Sequence, residues 1–186
     1  MEIILKKPTI EYAEDIEKFR QELIKANDTD SFAGCIGLDT ADSAEKWIKD
    51  TEIYENEKTC PKDRVPSSMY IAVRPCDNKI VGAIDLRHHI NHPILSLWGG
   101  HMGYSVRPNE RGKGYAKEML RQNLLNCRMY GIEKVMITCN ADNTASERVI
   151  LANNGVFENE IDVDGTRIKR FWITIKDVNL QATIQV

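Results

Sequence analysis

Three absences narrow the class of protein that this chain of 186 residues can form. Its five cysteines are odd in number and include no Cys-x-x-Cys pair, so we expect reduced thiols and a cytoplasmic location rather than a disulfide-stapled secreted domain. No run of about 18 apolar residues occurs, and the apolar run after Met1 is too short for a signal peptide. The sequence therefore predicts neither a membrane partner nor secretion.

The two common glycine motifs for nucleotides are also missing. A Walker loop ending at Gly112-Lys113 would need a glycine where Arg107 stands and a hydroxyl residue where Gly114 stands. A Rossmann fingerprint over the same glycines would meet Lys117 at its third glycine, and no early βαβ unit precedes it. Both nucleotide folds are therefore excluded.

Strong charge of either sign is lacking, but the charge that exists is unevenly distributed. Residues 1–66 carry 16 acidic and 10 basic side chains, and residues 67–186 carry 12 and 15, for a net charge of −3. A basic half suits a phosphorylated ligand and an acidic half would attract a cationic amine. The alternative is that these charges are the solvated faces of surface helices. Nothing in this balance indicates nucleic acid as a partner.

Apolar periodicity predicts one domain over residues 1–186, with a mixed, mostly antiparallel α/β sheet and no internal repeat. Turn residues, including Asp164-Gly165, divide the chain into regular segments. The expected strands are near 2–6, 68–74, 79–90, 97–106, 133–139, 155–161 and 166–175. The expected helices are near 9–25, 42–57, 112–130 and 143–153.

The most informative segment is Pro108–Gly114, which runs from the strand expected at 97–106 into the helix expected from 112. Its glycines weaken the first helical turn, and Arg111 and Lys113 place cations where the helix dipole favours anions. A capped surface turn is the plain alternative, but it would not select these residues. Free N–H groups at a helix start bind phosphate, so we expect a large anionic ligand here.

This segment resembles motif A of the GNAT superfamily, the acyl-CoA-dependent N-acetyltransferases, whose consensus is Gln/Arg-x-x-Gly-x-Gly/Ala. Here the motif reads Arg111-x-x-Gly114-x-Ala116. A second block is similar to the strand, helix start and closing segment of the family: Gly131–Asn140, Asn143-x-x-Ser146 and Gly155-Val156-Phe157. The resemblance covers about residues 67–175. The run Gly100–Pro108, with Arg87-His88 before it and Ile137-Thr138-Cys139 after it, resembles a bacterial subgroup of predicted acetyltransferases whose substrates are unknown.

The resemblance implies an α/β GNAT fold, with a mostly antiparallel sheet splayed at the acyl-CoA site and flanked by helices. It implies acetyl-CoA as cosubstrate, with no metal, and an amine of a small molecule, peptide or protein as acceptor. It further implies that a bulge in the strand expected at 97–106 frees N–H groups, and that the Val106 N–H stabilises the oxyanion of the thioester. The residues that the resemblance places against the cofactor are Tyr104, Ser105, Val106, Arg111, Gly112, Lys113, Gly114, Tyr115, Ala116, Asn143 and Ser146.

The acceptor amine must lose a proton before it attacks, so we searched the strands for a base. Asp85, His88 and His101 are candidates, and we select His101 because its ordinary pKa suits proton uptake near neutrality. A histidine bonded within the sheet is the alternative, and Asp85 with Arg87 is either a sheet ion pair or a substrate contact. Leu151 stands where many family members carry a tyrosine that protonates the thiolate, so Tyr104 and Tyr115 remain as substitutes.

The remaining expectations concern metal, acceptor and assembly. His88-His89-x-x-His92 does not predict a metal site, because adjacent strand residues point to opposite faces. The acceptor pocket should use the loop at 27–41 and the second helix, with Phe32, Trp47 and Tyr54 as candidates unless they are core. A homodimer is common in the family. The second functional hypothesis, kept open by Leu151, is an acyl-CoA-binding sensor without catalysis.

Overall fold

The computed structural model describes residues 2–27 and 32–175, and its centre consists of two antiparallel sheets. The first has the order β1-β2-β3-β4 and the second has the order β5-β7-β6. The strands of the first sheet are β1 (Ile4–Lys6), β2 (Ser67–Arg74), β3 (Lys79–Arg87) and β4 (Tyr104–Val106). The strands of the second are β5 (Lys134–Asn140), β6 (Val156–Val163) and β7 (Thr166–Thr174).

Four α-helices of the described residues flank these sheets, which confirms the expected α/β class. They are α1 (Ala13–Ala26), α2 (Ala44–Glu55), α3 (Tyr115–Asn126) and α4 (Thr144–Leu151). The Ser43 hydroxyl caps α2 by accepting a hydrogen bond from the Lys46 N–H at 3.2 Å. Within residues 2–27 and 32–175, no helix has both the length and the apolar character needed to cross a membrane.

The helices divide the core into layers. Buried side chains of α1 and α2, including Phe19 and Trp47, pack on one face of the first sheet. Met119 of α3 packs against the other face of that sheet. Leu124 of α3 and Ile150 of α4 pack against the second sheet, so α3 joins the two sheets into one core.

Three predicted boundaries were wrong, and glycines explain two of them. Residues Leu95–Gly99 form a π-helical turn rather than strand, and Gly100 follows at φ +65°, so β4 begins only at Tyr104. The third helix begins at Tyr115 rather than at residue 112, because Gly112 and Gly114 before it have positive φ. Strand β3 ends at Arg87 instead of residue 90.

Candidate active site

A cleft opens where β4 and β5, which belong to different sheets, diverge. It encloses about 730 Å³ and is lined by β4, the turn after it, β5 and the start of α4. All the residues expected to contact the cofactor line it except Lys113. Those lining residues are Tyr104, Ser105, Val106, Arg111, Gly112, Gly114, Tyr115, Ala116, Asn143 and Ser146.

The turn before α3 presents main-chain N–H groups to this cleft. Gly112 has φ +74° and Gly114 has φ +82°, and no side chain of the described residues caps the helix at Gly114. Uncapped helix starts of this kind bind anions in other proteins, so the start of α3 is a candidate anion site. A Cβ on Gly112 would meet none of the described atoms within 4 Å, so the positive φ, rather than crowding within the protein, requires glycine there.

A buried carboxylate organises the cations beside this turn. Glu110 lines the cleft, and its carboxylate is paired with Lys113 at 2.9 Å, Arg74 at 2.9 Å and Lys79 at 3.3 Å. The hydrogen bonds from Lys113, Arg74 and Lys79 lower the pKa of Glu110 to about 2. Lys113 is thus held by Glu110 outside the cleft wall, whereas Arg111 lines the wall and donates from Nε to the Val106 carbonyl at 3.2 Å.

The register of β4 turns two of its N–H groups toward the cleft. Val106 is opposite Gly82, and the Arg107 N–H donates to the Val81 carbonyl at 2.9 Å. In an antiparallel ladder, that pattern makes Tyr104 and Val106 the residues whose N–H groups point away from β3. The family resemblance implied a bulge in this strand, but the β3–β4 pairing is regular over three residue pairs. The N–H groups are therefore exposed because β4 is the edge of its sheet.

Tyr104 reaches across the cleft to the helix that forms the opposite wall. Its phenol lies 2.7 Å from the Ser146 hydroxyl and donates to the Ser146 carbonyl at 3.3 Å. Burial raises the pKa of Tyr104 well above its usual range, so the phenol keeps its proton at neutral pH. Asn143 caps α4 by accepting from the Ser146 N–H at 3.0 Å, which orients this wall.

The loop before α2 is fixed to the same strand. The Ser105 hydroxyl donates to the Ala33 carbonyl, and Gly34 lies so close that a Cβ there would overlap the Gly103 carbonyl. Ala33 and Ile36 consequently line the cleft. The loop predicted to help form the acceptor pocket therefore reaches the cleft, although residues 28–31 of it lie outside the described residues.

His101, the residue selected as the base, and Asp85, another candidate for catalysis, do not line the cleft. His101 is 5% exposed, and its Nδ1 accepts the Met136 N–H at 3.0 Å. Burial lowers the pKa of His101 to about 4, so the ring is neutral near pH 7. Asp85 accepts from the Gly103 N–H and pairs with Arg87 at 3.0 Å, while burial raises the pKa of its carboxyl.

Other candidates from the sequence lie away from the cleft. His88 stacks on Tyr130 and its Nε2 lies 3.0 Å from the Ser68 hydroxyl. Trp47 is buried in the core, so α2 adds no aromatic side chain to the cleft. Leu151 is 49% exposed and does not line the cleft. The described residues contain no group of three or more histidine, cysteine or acidic side chains arranged to hold a metal ion.

Sequence reasoning missed several residues of the wall. Trp98, Met102 and Thr138 line the cleft together with Arg148 of α4. Trp98 lies in a stretch that its apolar residues made look like strand, and only the Gly99-Gly100 pair signalled a break. No role for Glu110 was predicted from the sequence, although an acidic residue among nearby cations is itself a pairing signal.

Comparison with solved structures gives the same fold at low identity. The microcin C7 self-immunity acetyltransferase MccE, solved with acetyl-CoA and AMP, superposes with a TM-score of 0.65 at 18% identity, covering 93% of this chain and 92% of that chain. An acetyltransferase of the GNAT family from Bacillus anthracis has a TM-score of 0.61 at 16% identity, covering 95% and 97%. A spermidine N-acetyltransferase SpeG chimera from Vibrio cholerae and hSSAT has a TM-score of 0.62 at 14% identity, covering 96% and 98%.

Sequence comparison identifies the family directly. No curated protein matches the chain in sequence. The family model for the acetyltransferase (GNAT) domain, however, matches residues 2–155, which include both β4 and the turn before α3. Because this match spans most of the chain and coincides with the cleft, the chain belongs to the GNAT acetyltransferase family.

Proposed function

We propose that this protein transfers an acetyl group from acetyl-CoA to an amine. One observation carries the proposal: the outward N–H groups of Tyr104 and Val106 and the uncapped start of α3 line the same cleft. A strand edge followed by a helix N-terminus offers hydrogen bonds to an extended amide arm and then to a pyrophosphate. Acetyl-CoA contains both groups in that order. Its presence in the MccE structure supports the assignment.

Acetyl-CoA supplies an acetyl thioester, whose carbonyl carbon forms a bond to the acceptor nitrogen while its bond to sulfur breaks. The Val106 N–H stabilises the negative charge that develops on the carbonyl oxygen, because its direction is fixed by β4 before any ligand arrives. Loss of such a donor costs a few kcal/mol of barrier, about 10²-fold to 10³-fold in rate. This group is main chain, so side-chain substitution does not remove it.

Two protons must move for the atoms to balance. The acceptor ammonium releases one proton to a base or to water before it attacks, and the nitrogen releases a second as the amide forms, while the departing thiolate takes up one. We infer that Tyr104 donates to the sulfur, since its protonated phenol lies in the cleft wall. The Tyr115 hydroxyl is instead held by Arg74 at 3.0 Å, beside the turn Arg111–Gly114, which we call the phosphate turn. His101 as the base stays a prediction, and its bond to Met136 favours a positioning role.

Paired glycine variants test the cofactor assignment. Gly112 and Gly165 both have positive φ, and a Cβ added at either would meet none of the described atoms within 4 Å, but only Gly112 lines the cleft. Gly112→Ala and Gly165→Ala should therefore lose similar stability. Only Gly112→Ala should weaken acetyl-CoA binding, by about tenfold or more, measured by calorimetry and by the ligand-induced rise in Tm. Equal binding by the two variants would argue against a phosphate site at this turn.

The sensor hypothesis rests on Leu151, a leucine at the position where many family members carry the tyrosine that protonates the thiolate. Thiol release from acetyl-CoA with a panel of amines separates the two functions. Turnover above the rate without protein identifies an enzyme. Tight acetyl-CoA binding with no turnover across the panel identifies a sensor.

A further inference from the structure

The end of the cleft away from the phosphate turn has an apolar wall. Trp98, Ile36 and Met102 line it, and Trp98 and Ile36 remain 37% and 47% exposed. Ile94 and Leu97, next to Trp98 in the chain, are also about half exposed, so apolar surface continues from the cleft outward. Exposed apolar side chains that continue into a cavity are typical of a binding site for an apolar group.

The segment that carries Trp98 is held in place from both sheets. Thr138 of β5 donates its hydroxyl hydrogen to the Trp98 carbonyl. Arg87 of β3 donates to the carbonyls of Gly99 at 2.8 Å and Gly100 at 3.2 Å. The π-helical turn at Leu95–Gly99 is a rare backbone form that is frequent at functional sites. These bonds fix the backbone that carries Trp98 before a ligand binds. Less entropy is therefore lost when a ligand packs on its ring.

The charges of the cleft disfavour an acceptor with several positive charges. Among the described residues that line it, four are cations, namely Arg87, Arg111, Lys117 and Arg148. Glu110 is the carboxylate in the described wall, and it is already paired with cations at the phosphate turn. The described wall therefore offers a polyamine no unpaired carboxylate, and Arg87 in that wall is already paired with Asp85.

We propose that the acceptor is a monoamine attached to a large apolar or aromatic body, the chemistry of an aminoacyl group with an apolar side chain. This inference rests on the acetyl transfer proposed above. The apolar body packs against Trp98 and Ile36, which orients its amine toward the acetyl carbon at the edge of β4. A free amino-acid amide and the N-terminus of a peptide share this chemistry.

Steady-state kinetics with four amines test the inference: phenylalaninamide, a peptide beginning with Phe-Gly-Gly, glycinamide and spermidine. We expect kcat/KM for phenylalaninamide to exceed those for glycinamide and spermidine at least tenfold. Equal or faster turnover of the peptide assigns a peptide N-terminus, and slower turnover assigns a free small molecule. Preference for spermidine or glycinamide would overturn the inference.

Variants of the wall locate the effect. Trp98→Ala should abolish the preference for phenylalaninamide over glycinamide, while Trp98→Phe keeps most of it. Ile36→Glu should shift preference toward spermidine relative to Ile36→Gln, which has the same size without charge. Met129→Ala is the control, since Met129 is 68% exposed and does not line the cleft. An unchanged preference in Trp98→Ala, with acetyl-CoA still raising its Tm, would refute the role of this wall.

Failure of the inference differs from failure of the proposed function. Phenylalaninamide binding to the protein loaded with CoA, measured by calorimetry, does not require turnover. Binding that Trp98→Ala weakens tenfold, without acetylation of any amine, refutes the transferase and supports the apolar site. Acetylation without such binding refutes the apolar site and supports the transferase.

Discussion

His101 and Met136 exchange two hydrogen bonds across the gap between the two sheets. The main-chain N–H of His101 donates to the Met136 carbonyl at 2.8 Å, and the main-chain N–H of Met136 donates to the ring Nδ1 of His101 at 3.0 Å. The imidazole thus takes the place of a strand carbonyl just before β4 and β5 diverge. Because Nδ1 accepts, the ring carries its proton on Nε2, and protonation of Nδ1 would break the bond to Met136.

This bond predicts a pH dependence of stability. The pKa of His101 is about 4 in the folded protein and about 6.5 when unfolded, so the unfolded state binds more protons between these values. The contribution of His101 to the free energy of unfolding is therefore fully present above about pH 6.5, and it is lost as the pH decreases toward 4. We expect His101 to contribute a loss of about 2 kcal/mol in the free energy of unfolding between pH 7 and pH 5, measured by urea titration.

His101→Asn is the matched variant for that measurement. The Asn Oδ1 replaces Nδ1 as an acceptor but does not titrate, so the slope against pH should flatten. A residual slope is expected from His88, whose pKa burial also lowers to about 4. His101→Phe removes the acceptor and should destabilise at all pH values by about 1–3 kcal/mol. An unchanged slope in His101→Asn would contradict the assigned bond.

Asp85 should support the strand edge rather than the proton transfer. Asp85→Ala leaves Arg87 without its buried carboxylate and the Gly103 N–H without its acceptor. We expect the free energy of unfolding to fall by about 3–5 kcal/mol, and by less in Asp85→Asn, which keeps an acceptor. Asp77→Asn, at an exposed ion pair with Arg74, should cost much less. Full stability of Asp85→Ala with lost turnover would instead favour a catalytic role.

Tyr104→Phe should lower kcat about 10²-fold, because it removes the phenol proton placed for the departing thiolate. The KM for acetyl-CoA should change little. Tyr115→Phe provides the contrast: its hydroxyl accepts from Arg74 at the phosphate turn, so its loss should raise that KM instead. Pre-steady-state acetyl transfer measures the chemical step, and equal rates in Tyr104→Phe and wild type would exclude Tyr104 as the acid.

Ser105→Ala should loosen the loop that carries Ala33 and Ile36, because it removes the hydroxyl that bonds to the Ala33 carbonyl. The KM for the acceptor should rise severalfold while the KM for acetyl-CoA stays near its wild-type value. Hydrogen exchange of residues 32–38 should increase in the same variant. An increase in both KM values would mean that Ser105 holds the cofactor side instead.

The turn before α3 could be predicted because its conformation depends on local backbone. Gly112 and Gly114 are required by positive φ at closely spaced positions, and the following residues have helical periodicity, so a short window of sequence contains the whole phosphate turn. The fold class and the hairpin at Asp164-Gly165 were predictable for the same reason. The position of Trp98 was not, because it depends on hydrogen bonds from Arg87 and Thr138, which lie on strands of different sheets.

The sequence by itself determined the family, the order of helices and strands and the glycine turn before α3, since each follows from residues close together in the chain. Only the tertiary structure decided which candidate side chains face the cleft. His101 and Asp85 lie in segments that suit a site, yet the junction of the two sheets buries both and gives each a main-chain partner. A buried group must satisfy its hydrogen bonds, and those partners, brought together by folding, settle its position.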